Sequence, residues 1–286
     1  MFDGIVNAPK EGAPSILYHY TSWDAAKAIL ASRQFWATSH DCTNDTAELV
    51  SADQVIIEVA KELLREATGV TAEVLRMFID SYSKLHVTRV ISICLACFSE
   101  SRDDPSQWDN YGDGGRGLCL GIKVVNEPPP LDPPTALIKV DYSESSWRTE
   151  LKKSFGDMCA VLSRARASRH NLELGLNAFL RQAAFMSISA KQARWAGERE
   201  FRRVTLVTRK SGITLSERVT PDGVKRYLPV SVRTEGKLIA LAEVIVGPNR
   251  NFEESRQEMQ KYLGEIGYQL TAVEYPEFVR SAVPPL

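Results

Sequence analysis

The apolar stretch Val90–Phe98 constrains the fold of this chain more than any other part of the sequence. It is rich in Ile, Leu and Cys and shows no regular alternation of apolar and polar side chains. Such a run is typical of a strand that is buried on both faces of a sheet. It is far shorter than the roughly 20 apolar residues that a membrane-spanning helix needs. The stretch therefore predicts a central strand and gives no reason to expect a membrane protein.

Composition narrows the class of protein further. The 286 residues are 44% hydrophobic and 25% charged, which is the ordinary mixture of a globular domain and excludes a disordered chain, a collagen-like repeat or a coiled coil. Lys and Arg number 35 and Asp and Glu 36, so the net charge of −1 gives no general attraction to nucleic acid or to an anionic membrane. The segment Met1–Pro14 lacks the basic start and apolar core of a secretion signal. We therefore expect a cytoplasmic protein.

The five cysteines favour a reducing compartment over a disulfide framework or a metal site. Their number is odd, and Cys94 and Cys97 have the spacing of a zinc or redox pair without a second such pair or a paired histidine elsewhere. In a strand, side chains three residues apart point to opposite faces, so these two thiols would not share a ligand. We expect buried free thiols and no bound metal.

Periodicity and turn residues divide the chain into strands mixed with runs of helix. The predicted strands are Ser15–Tyr20, Phe35–Ser39, Val90–Phe98, Gly117–Val125, Ala136–Tyr142, Phe201–Val207 and Leu238–Gly247. The predicted helices are Trp23–Ser32, Ala47–Ala67, Thr71–Leu85, Ser106–Tyr111, Ser146–Leu162, Leu172–Ser189 and Phe252–Gly267. This mixture predicts an α+β fold in a single domain, 1–286, with a core at about 15–250 and a C-terminal helix and tail (251–286) packed on it.

Two polar motifs lie in the first fifty residues. In Tyr18-His19-Tyr20-Thr21, alternation along the first strand puts His19 on one face and both tyrosines on the other. A histidine there can hydrogen-bond a ribose hydroxyl, or it can be a half-buried structural residue. The second motif, Asn44-Asp45-Thr46 followed by Glu48, has the short oxygen-bearing side chains that form turns and cap helices.

A third motif follows the central strand. It begins with Cys97-Phe98-Ser99-Glu100 and continues into a short helix and a glycine-rich turn, Ser106–Gly121. The helix places Trp108 and Tyr111 three residues apart on one face, where they either meet a ligand or act as packing anchors. The glycines allow tight turns, but their spacing is neither that of a dinucleotide-binding fingerprint nor that of a P-loop.

The fourth motif combines Lys191, Trp195 and the run Glu198–Arg203. If this run begins a strand, then Glu198, Glu200 and Arg202 share one face. Two carboxylates on one face repel each other, so we expect the pKa of one of them to be raised. An exposed edge strand could carry the same residues.

Together, the four motifs resemble the bacterial domain of unknown function 2971 family. The elements that carry the resemblance are, in chain order, Tyr-His-Tyr-Thr, Phe-Trp-Ala-Thr-Ser, Asn-Asp-x-x-Glu, Cys-Phe-Ser-Glu, Gln-Trp-x-x-Tyr-x-x-Gly-x-x-Gly-Leu-Cys-Leu-Gly and Trp-x-x-Glu-x-Glu-Phe-Arg. The resemblance covers roughly Leu17–Pro248. The family is in turn distantly similar to the ADP-ribosyltransferase fold, which implies a split mixed β-sheet core with flanking helices.

The resemblance implies that NAD is a substrate and that no metal is needed. It implies that His19 holds the adenosine-side ribose, with Tyr20 and Thr21 in the same pocket. The aromatic residue against the nicotinamide would be Tyr111, or Trp108 in its place. The hydroxyl near that ring would come from Ser99 or Ser106.

The resemblance assigns the chemistry to the late carboxylates. Glu200 would be the catalytic carboxylate and Glu198 would place the acceptor. Arg202 would neutralise Glu198 or contact a phosphate. The implied reaction is cleavage of the nicotinamide–ribose bond, with transfer of ADP-ribose to a protein or nucleic acid, or to water in an NAD glycohydrolase.

Several alternatives remain open. Family likeness implies a bacterial toxin or phage-defence effector, with a possible antitoxin or immunity partner. A non-catalytic module that binds a nucleotide, a nucleic acid or a protein partner fits the same fold. Its phosphate contacts would be two basic clusters, Arg164, Arg166 and Arg169, and Arg199, Arg202 and Arg203. Metal-dependent hydrolysis lacks paired histidines, and a serine hydrolase lacks its G-x-S-x-G turn.

Overall fold

A mixed β-sheet forms the centre of the protein, as described by a computed structural model. The structure describes residues 14–43, 49–84, 92–124, 135–207, 212–220, 223–231, 241–267 and 276–286. Ten strands lie in these ranges: β1 (Ile16–Thr21), β2 (Gln34–Ser39), β3 (Ser92–Ser99), β4 (Leu118–Lys123), β5 (Thr135–Lys139), β6 (Glu200–Val207), β7 (Ser216–Thr220), β8 (Gly223–Ser231), β9 (Leu241–Val246) and β10 (Glu277–Arg280). The predicted α+β class is confirmed, whereas the ADP-ribosyltransferase architecture stays a prediction.

Seven α-helices accompany these strands in the described ranges: α1 (Trp23–Ser32), α2 (Asp53–Leu64), α3 (Gly69–Lys84), α4 (Pro105–Tyr111), α5 (Glu144–Leu162), α6 (Arg169–Ser189) and α7 (Phe252–Glu265). A 3-10 helix, Ala193–Glu198, precedes β6, with Arg199 between the two elements. None of the helices in the described ranges has a stretch long and apolar enough to cross a membrane.

Strand β3 organises the sheet because two other strands share one of its edges. Along one edge β3 pairs with β6 over its whole length, from Ser92 opposite Val207 to Ser99 opposite Glu200. Along the other edge, β2 pairs at Cys94 and Leu95, and β1 pairs only at Ser99. From β1 the sheet continues through β4, β9 and β10, and from β2 through β8 and β7. The sheet is therefore split into two arms that separate from a common strand.

Apolar packing covers both faces of β3, as its sequence predicts. One core cluster joins the sheet to α1 and α7 and includes Cys94, Ala96 and Phe98. On the opposite face, Ile93 and Leu95 pack with Ile188 of α6. Helices α2, α3, α5 and α6 bury their apolar faces against one another in a separate cluster. The exception on β3 is Cys97, whose side chain is exposed.

Several elements differ from the predictions. Periodicity did not predict β7 and β8, which form an edge arm rich in charged residues, or β10, which adds the chain's last strand in parallel to β9. Helix α2 begins at Asp53, because residues 49–52 form turns where helix was predicted. The cap motif of Asn44, Asp45, Thr46 and Glu48 lies outside the described residues.

Candidate active site

A cavity of about 530 Å³ lies against β3, where β1 and β2 separate. This volume is in the range of small-molecule sites. The residues that line it come from β1, α1, β2, β3, α4, the 3-10 helix, β6 and β7. Among them are His19, Tyr111, Glu198 and Glu200, which are far apart in the sequence. The split of the sheet thus brings together these four residues, which the motifs singled out.

His19 is half-buried on β1, and its ring is fixed from two sides. Its Nδ1 lies 2.9 Å from the carbonyl oxygen of Cys97, so Nδ1 carries the proton and donates it. The ring also contacts Phe35 edge-on, at 5.0 Å between centroids, and Phe98 at 5.6 Å. Burial lowers the pKa of His19 even though the bond to Cys97 acts in the opposite direction. The neutral ring leaves Nε2 as the nitrogen that can accept a hydrogen bond from a ligand.

Tyr20 lines the cavity but commits its hydroxyl to the backbone, whereas Trp108 is a packing residue. The Tyr20 hydroxyl donates to the carbonyl oxygen of Ser101 at 2.8 Å and accepts from the Asp104 amide at 3.1 Å. The Trp108 ring packs edge-on against Tyr20, is 0% exposed, and donates its indole N–H to Asp103 at 2.7 Å. Trp108 does not line the cavity, so of the two roles left open for it, packing is the one that the structure supports.

Thr21 and Ser99 both line the cavity and are nearly inaccessible to solvent. The Ser99 hydroxyl donates to the carbonyl oxygen of Glu198 at 2.7 Å and accepts from the amide of Ser101 at 2.9 Å. It therefore anchors the segment that carries Glu198. Ser106 instead donates to Asp104 at the start of α4, outside the cavity lining.

Lys191 joins the two carboxylates. Its Nζ lies 2.5 Å from Oε2 of Glu198 and 3.0 Å from Oε2 of Glu200, and all three side chains are buried. The other oxygen of Glu198 accepts the hydroxyl of Tyr111 at 2.7 Å. Burial and the charge of Glu198 raise the pKa of Tyr111, so this hydroxyl stays protonated. The Tyr111 residue nonetheless remains 43% exposed, and its ring is accessible to a ligand.

Arg202 holds Glu200 from behind. Its Nε donates to Oε1 of Glu200 at 3.0 Å and its Nη2 to Oε2 at 3.3 Å, while Nη1 donates to the carbonyl oxygen of Ile188 at 2.7 Å. Burial alone would raise the pKa of Glu200, but Arg202, Lys191 and the Cys97 thiol together lower it. Repulsion was expected to raise the pKa of one of the two glutamates. For Glu200 the pKa is lowered instead, because Lys191 bonds both carboxylates and Arg202 bonds Glu200.

Two other predictions about this motif need correction. Arg202 is 0% exposed and does not line the cavity, so it is not placed to contact a phosphate there. It positions Glu200 instead, and the cation that pairs with Glu198 is Lys191. Glu198 belongs to the 3-10 helix rather than to the strand, and Arg199 between the two glutamates has a positive φ of 46°. The basic residues Arg164, Arg166 and Arg169 lie where α5 and α6 are connected and do not line the cavity.

Several residues of the cavity received no role from the motifs. Lys191 and Gln107 belong to the motifs described above. A single lysine or glutamine in a sequence, however, does not show whether its side chain is buried or exposed. Cys97 was expected to be buried and instead exposes its thiol in the cavity wall. Trp36, 40% exposed, stacks on Tyr227. No group of three or more metal-ligating side chains occurs in the part of the chain that the structure describes.

No family model matches the chain, and neither the curated proteins nor the solved structures compared with it include a match. The resemblance drawn from the motifs therefore stays a prediction, and function has to be argued from the geometry of the cavity.

Proposed function

We propose that the cavity binds NAD and that the protein cleaves its nicotinamide–ribose bond, as an ADP-ribosyltransferase or an NAD glycohydrolase. One observation carries this proposal: His19, Tyr111, Glu198 and Glu200, from four separate elements, line a single cavity. The motif resemblance assigns His19, Tyr111 and Glu200 to NAD and Glu198 to the acceptor. The expected toxin or phage-defence role, with an antitoxin or immunity partner, rests on that resemblance alone.

The chemistry of the cavity suits this bond cleavage. Loss of nicotinamide passes through a state in which positive charge develops on the ribose, as in glycoside hydrolysis. A fixed carboxylate at that point stabilises the transition state more than the ground state. Glu200 is held by three hydrogen bonds from Arg202 and Lys191, and its lowered pKa keeps it ionised at neutral pH. Glu198, bonded to a neutral hydroxyl on one oxygen, would orient the acceptor or the ribose.

The remaining residues supply binding. The neutral His19 ring would accept a ribose hydroxyl at Nε2, because Nδ1 is committed to Cys97. The accessible ring of Tyr111 would stack on the departing base.

Incubation with NAD, with release of nicotinamide measured by chromatography, tests the proposal. Protein and nucleic-acid acceptors are added in separate reactions, so that labelled ADP-ribose on either one distinguishes transfer from hydrolysis. We expect Glu200→Asp, which keeps the negative charge beside Arg202 but withdraws it by one methylene group, to reduce the rate about 100-fold or more. The control is Glu173→Gln at an exposed position of α6, which should leave the rate unchanged. A wild-type protein that neither binds NAD nor releases nicotinamide would refute the proposal.

A second candidate function has one observation in its favour. Both oxygens of Glu200 are already paired, one with Arg202 and the other with Arg202 and Lys191, so much of its charge is neutralised. A non-catalytic nucleotide-binding module would require no free carboxylate. Calorimetry that detects NAD binding, together with no release of nicotinamide over long incubation, would favour this module over the enzyme.

A further inference from the structure

Gln107 carries a buried amide without a partner at the edge of the cavity. It is 4% exposed, lines the cavity and lies one helical turn before Tyr111 on α4. Its Nε2 is buried and has no hydrogen-bond acceptor within the described residues. The backbone groups of Gln107 are satisfied, since its amide bonds the side chain of Asp104 and its carbonyl oxygen accepts from Gly112. The unmet hydrogen-bonding capacity thus belongs to the side-chain amide.

Two other residues that line the cavity share this property. The indole Nε1 of Trp195 and the guanidinium Nε of Arg218 are likewise buried without an acceptor in the described ranges. A buried donor without a partner destabilises the folded state, so native proteins keep few of them. Their concentration around one cavity indicates that the occupant of the cavity provides the missing acceptors.

We propose that Gln107 selects the base that leaves, by pairing with a carboxamide on its ring. This inference rests on the proposed function. Residues four apart on a helix are neighbours on one face, so a ring stacked on Tyr111 brings its substituent to the amide of Gln107. A carboxamide has one donor group and one acceptor group and can pair reciprocally with the glutamine amide.

The same arrangement disfavours a carboxylate in that position. A nicotinic acid ring offers acceptors only, so the Oε1 of Gln107 would face an oxygen and remain unpaired. Its negative charge would also approach Glu198, which is bonded to Tyr111. Gln107 would therefore discriminate NAD from nicotinic acid adenine dinucleotide, which differs from it only in this group.

The variant Gln107→Met tests the inference, because methionine keeps the length of the side chain and removes the amide. We measure kcat/KM for NAD and for nicotinic acid adenine dinucleotide, or the two dissociation constants if the protein binds without turnover. The wild-type protein should prefer NAD by at least about tenfold, and the variant should lose most of that preference through a weaker reaction with NAD. The matched control is Asn110→Ala, an exposed residue of the same helix, which should retain the preference.

Thermal unfolding of the ligand-free protein separates recognition from a structural role. Replacing an unpartnered buried amide by an apolar side chain of similar shape should leave the melting temperature unchanged or raise it. An unchanged preference in Gln107→Met, or a loss of preference accompanied by a lower melting temperature, would overturn the inference while leaving NAD cleavage by the wild type intact. Failure of the wild type to bind or cleave NAD would instead refute the proposed function itself, and this inference with it.

Discussion

The ammonium group of Lys191 lies 3.0 Å from Oε2 of Glu200, and neither side chain is more than 6% exposed. The same ammonium contacts Glu198, so one cation separates two carboxylates that would otherwise face each other in a buried place. Such an arrangement is stable only as long as its charges remain balanced, because each lone charge would be costly to bury.

Lys191→Met should therefore destabilise the protein in a pH-dependent way. Without the cation, repulsion raises the pKa of one glutamate above its unfolded value, so the variant gains stability as pH falls and loses it as pH rises. We expect a loss of about 3–5 kcal/mol near pH 7.5 and a clearly smaller loss near pH 5, measured by urea unfolding. Lys139→Met, which removes an exposed ammonium paired with Glu100, is the control and should change stability by less than about 1 kcal/mol. A loss that does not vary with pH would contradict the role assigned to Lys191.

Glu200→Gln tests the other side of the same cluster. The folded-state pKa of Glu200 is lowered from its ordinary value of 4.5, so its ionised form stabilises the protein above that pH, and the contribution disappears as pH falls through the folded-state value. At pH 7 the variant lacks the negative charge that pairs with the buried cations Arg202 and Lys191. We therefore expect its free energy of unfolding to be lower by about 3 kcal/mol. In acid urea titrations the difference between wild type and variant should shrink below pH 4.5. Equal stability of the two proteins at pH 7 would show that Glu200 is not tied to the buried cations.

Alternation along a strand predicted part of the buried cluster of Lys191, Glu198, Glu200 and Arg202, but not all of it. It correctly placed Glu200 and Arg202 on one face of a strand, since that follows from a period of two. It did not reveal that the face is buried, because a run of charged residues is usually exposed. Lys191 is separated from Glu200 by the 3-10 helix, and only the folded path of that helix returns the ammonium to the carboxylates.

In the rest of the fold, too, local features could be predicted from the sequence and long-range contacts could not. The apolar run that became β3 and the helix Trp23–Ser32 were predicted correctly, because burial on both faces and helical spacing of apolar residues are local signals. Strand β7 was missed because it is short and largely polar, although its partner β8 follows it directly in a hairpin. Strand β10 was missed because it has only four residues and pairs with β9, which lies before α7 in the chain. The split of the sheet depends on which strand reaches which part of the edge of β3, and periodicity contains no information about that.

Tyr111 should act through its ring more than through its hydroxyl. Tyr111→Phe removes the bond to Glu198 but keeps the aromatic face, so we expect NAD affinity to fall by no more than about fivefold. Tyr111→Ala removes both, and the affinity should fall by a further factor of about ten. Calorimetry with NAD measures both values. Equal losses in the two variants would show that the hydroxyl, and not stacking, determines binding.

Gly117→Ala should damage the turn that borders the cavity. A Cβ at this position would lie 2.0 Å from the carbonyl oxygen of Thr21, which belongs to the backbone of β1 and cannot move aside easily. We expect a destabilisation of about 3 kcal/mol by thermal or urea unfolding. The contrasting variant is Gly156→Ala in α5, where a Cβ would meet no atom within 4 Å, and which should gain about 0.5–1 kcal/mol from helix propensity. Similar behaviour of the two alanine variants would contradict the close approach at Gly117.

The exposed thiol of Cys97 makes the interior of the cavity accessible to optical measurement. Burial raises the pKa of Cys94 to about 12 and that of Cys119 well above its ordinary value, so those two thiols should react slowly with maleimides. After replacement of Cys42 and Cys159, which are partly exposed, a fluorescent label would attach selectively to Cys97. Any occupant of the cavity would slow that labelling, so the rate offers a binding assay that works without turnover and for a ligand of any chemical class.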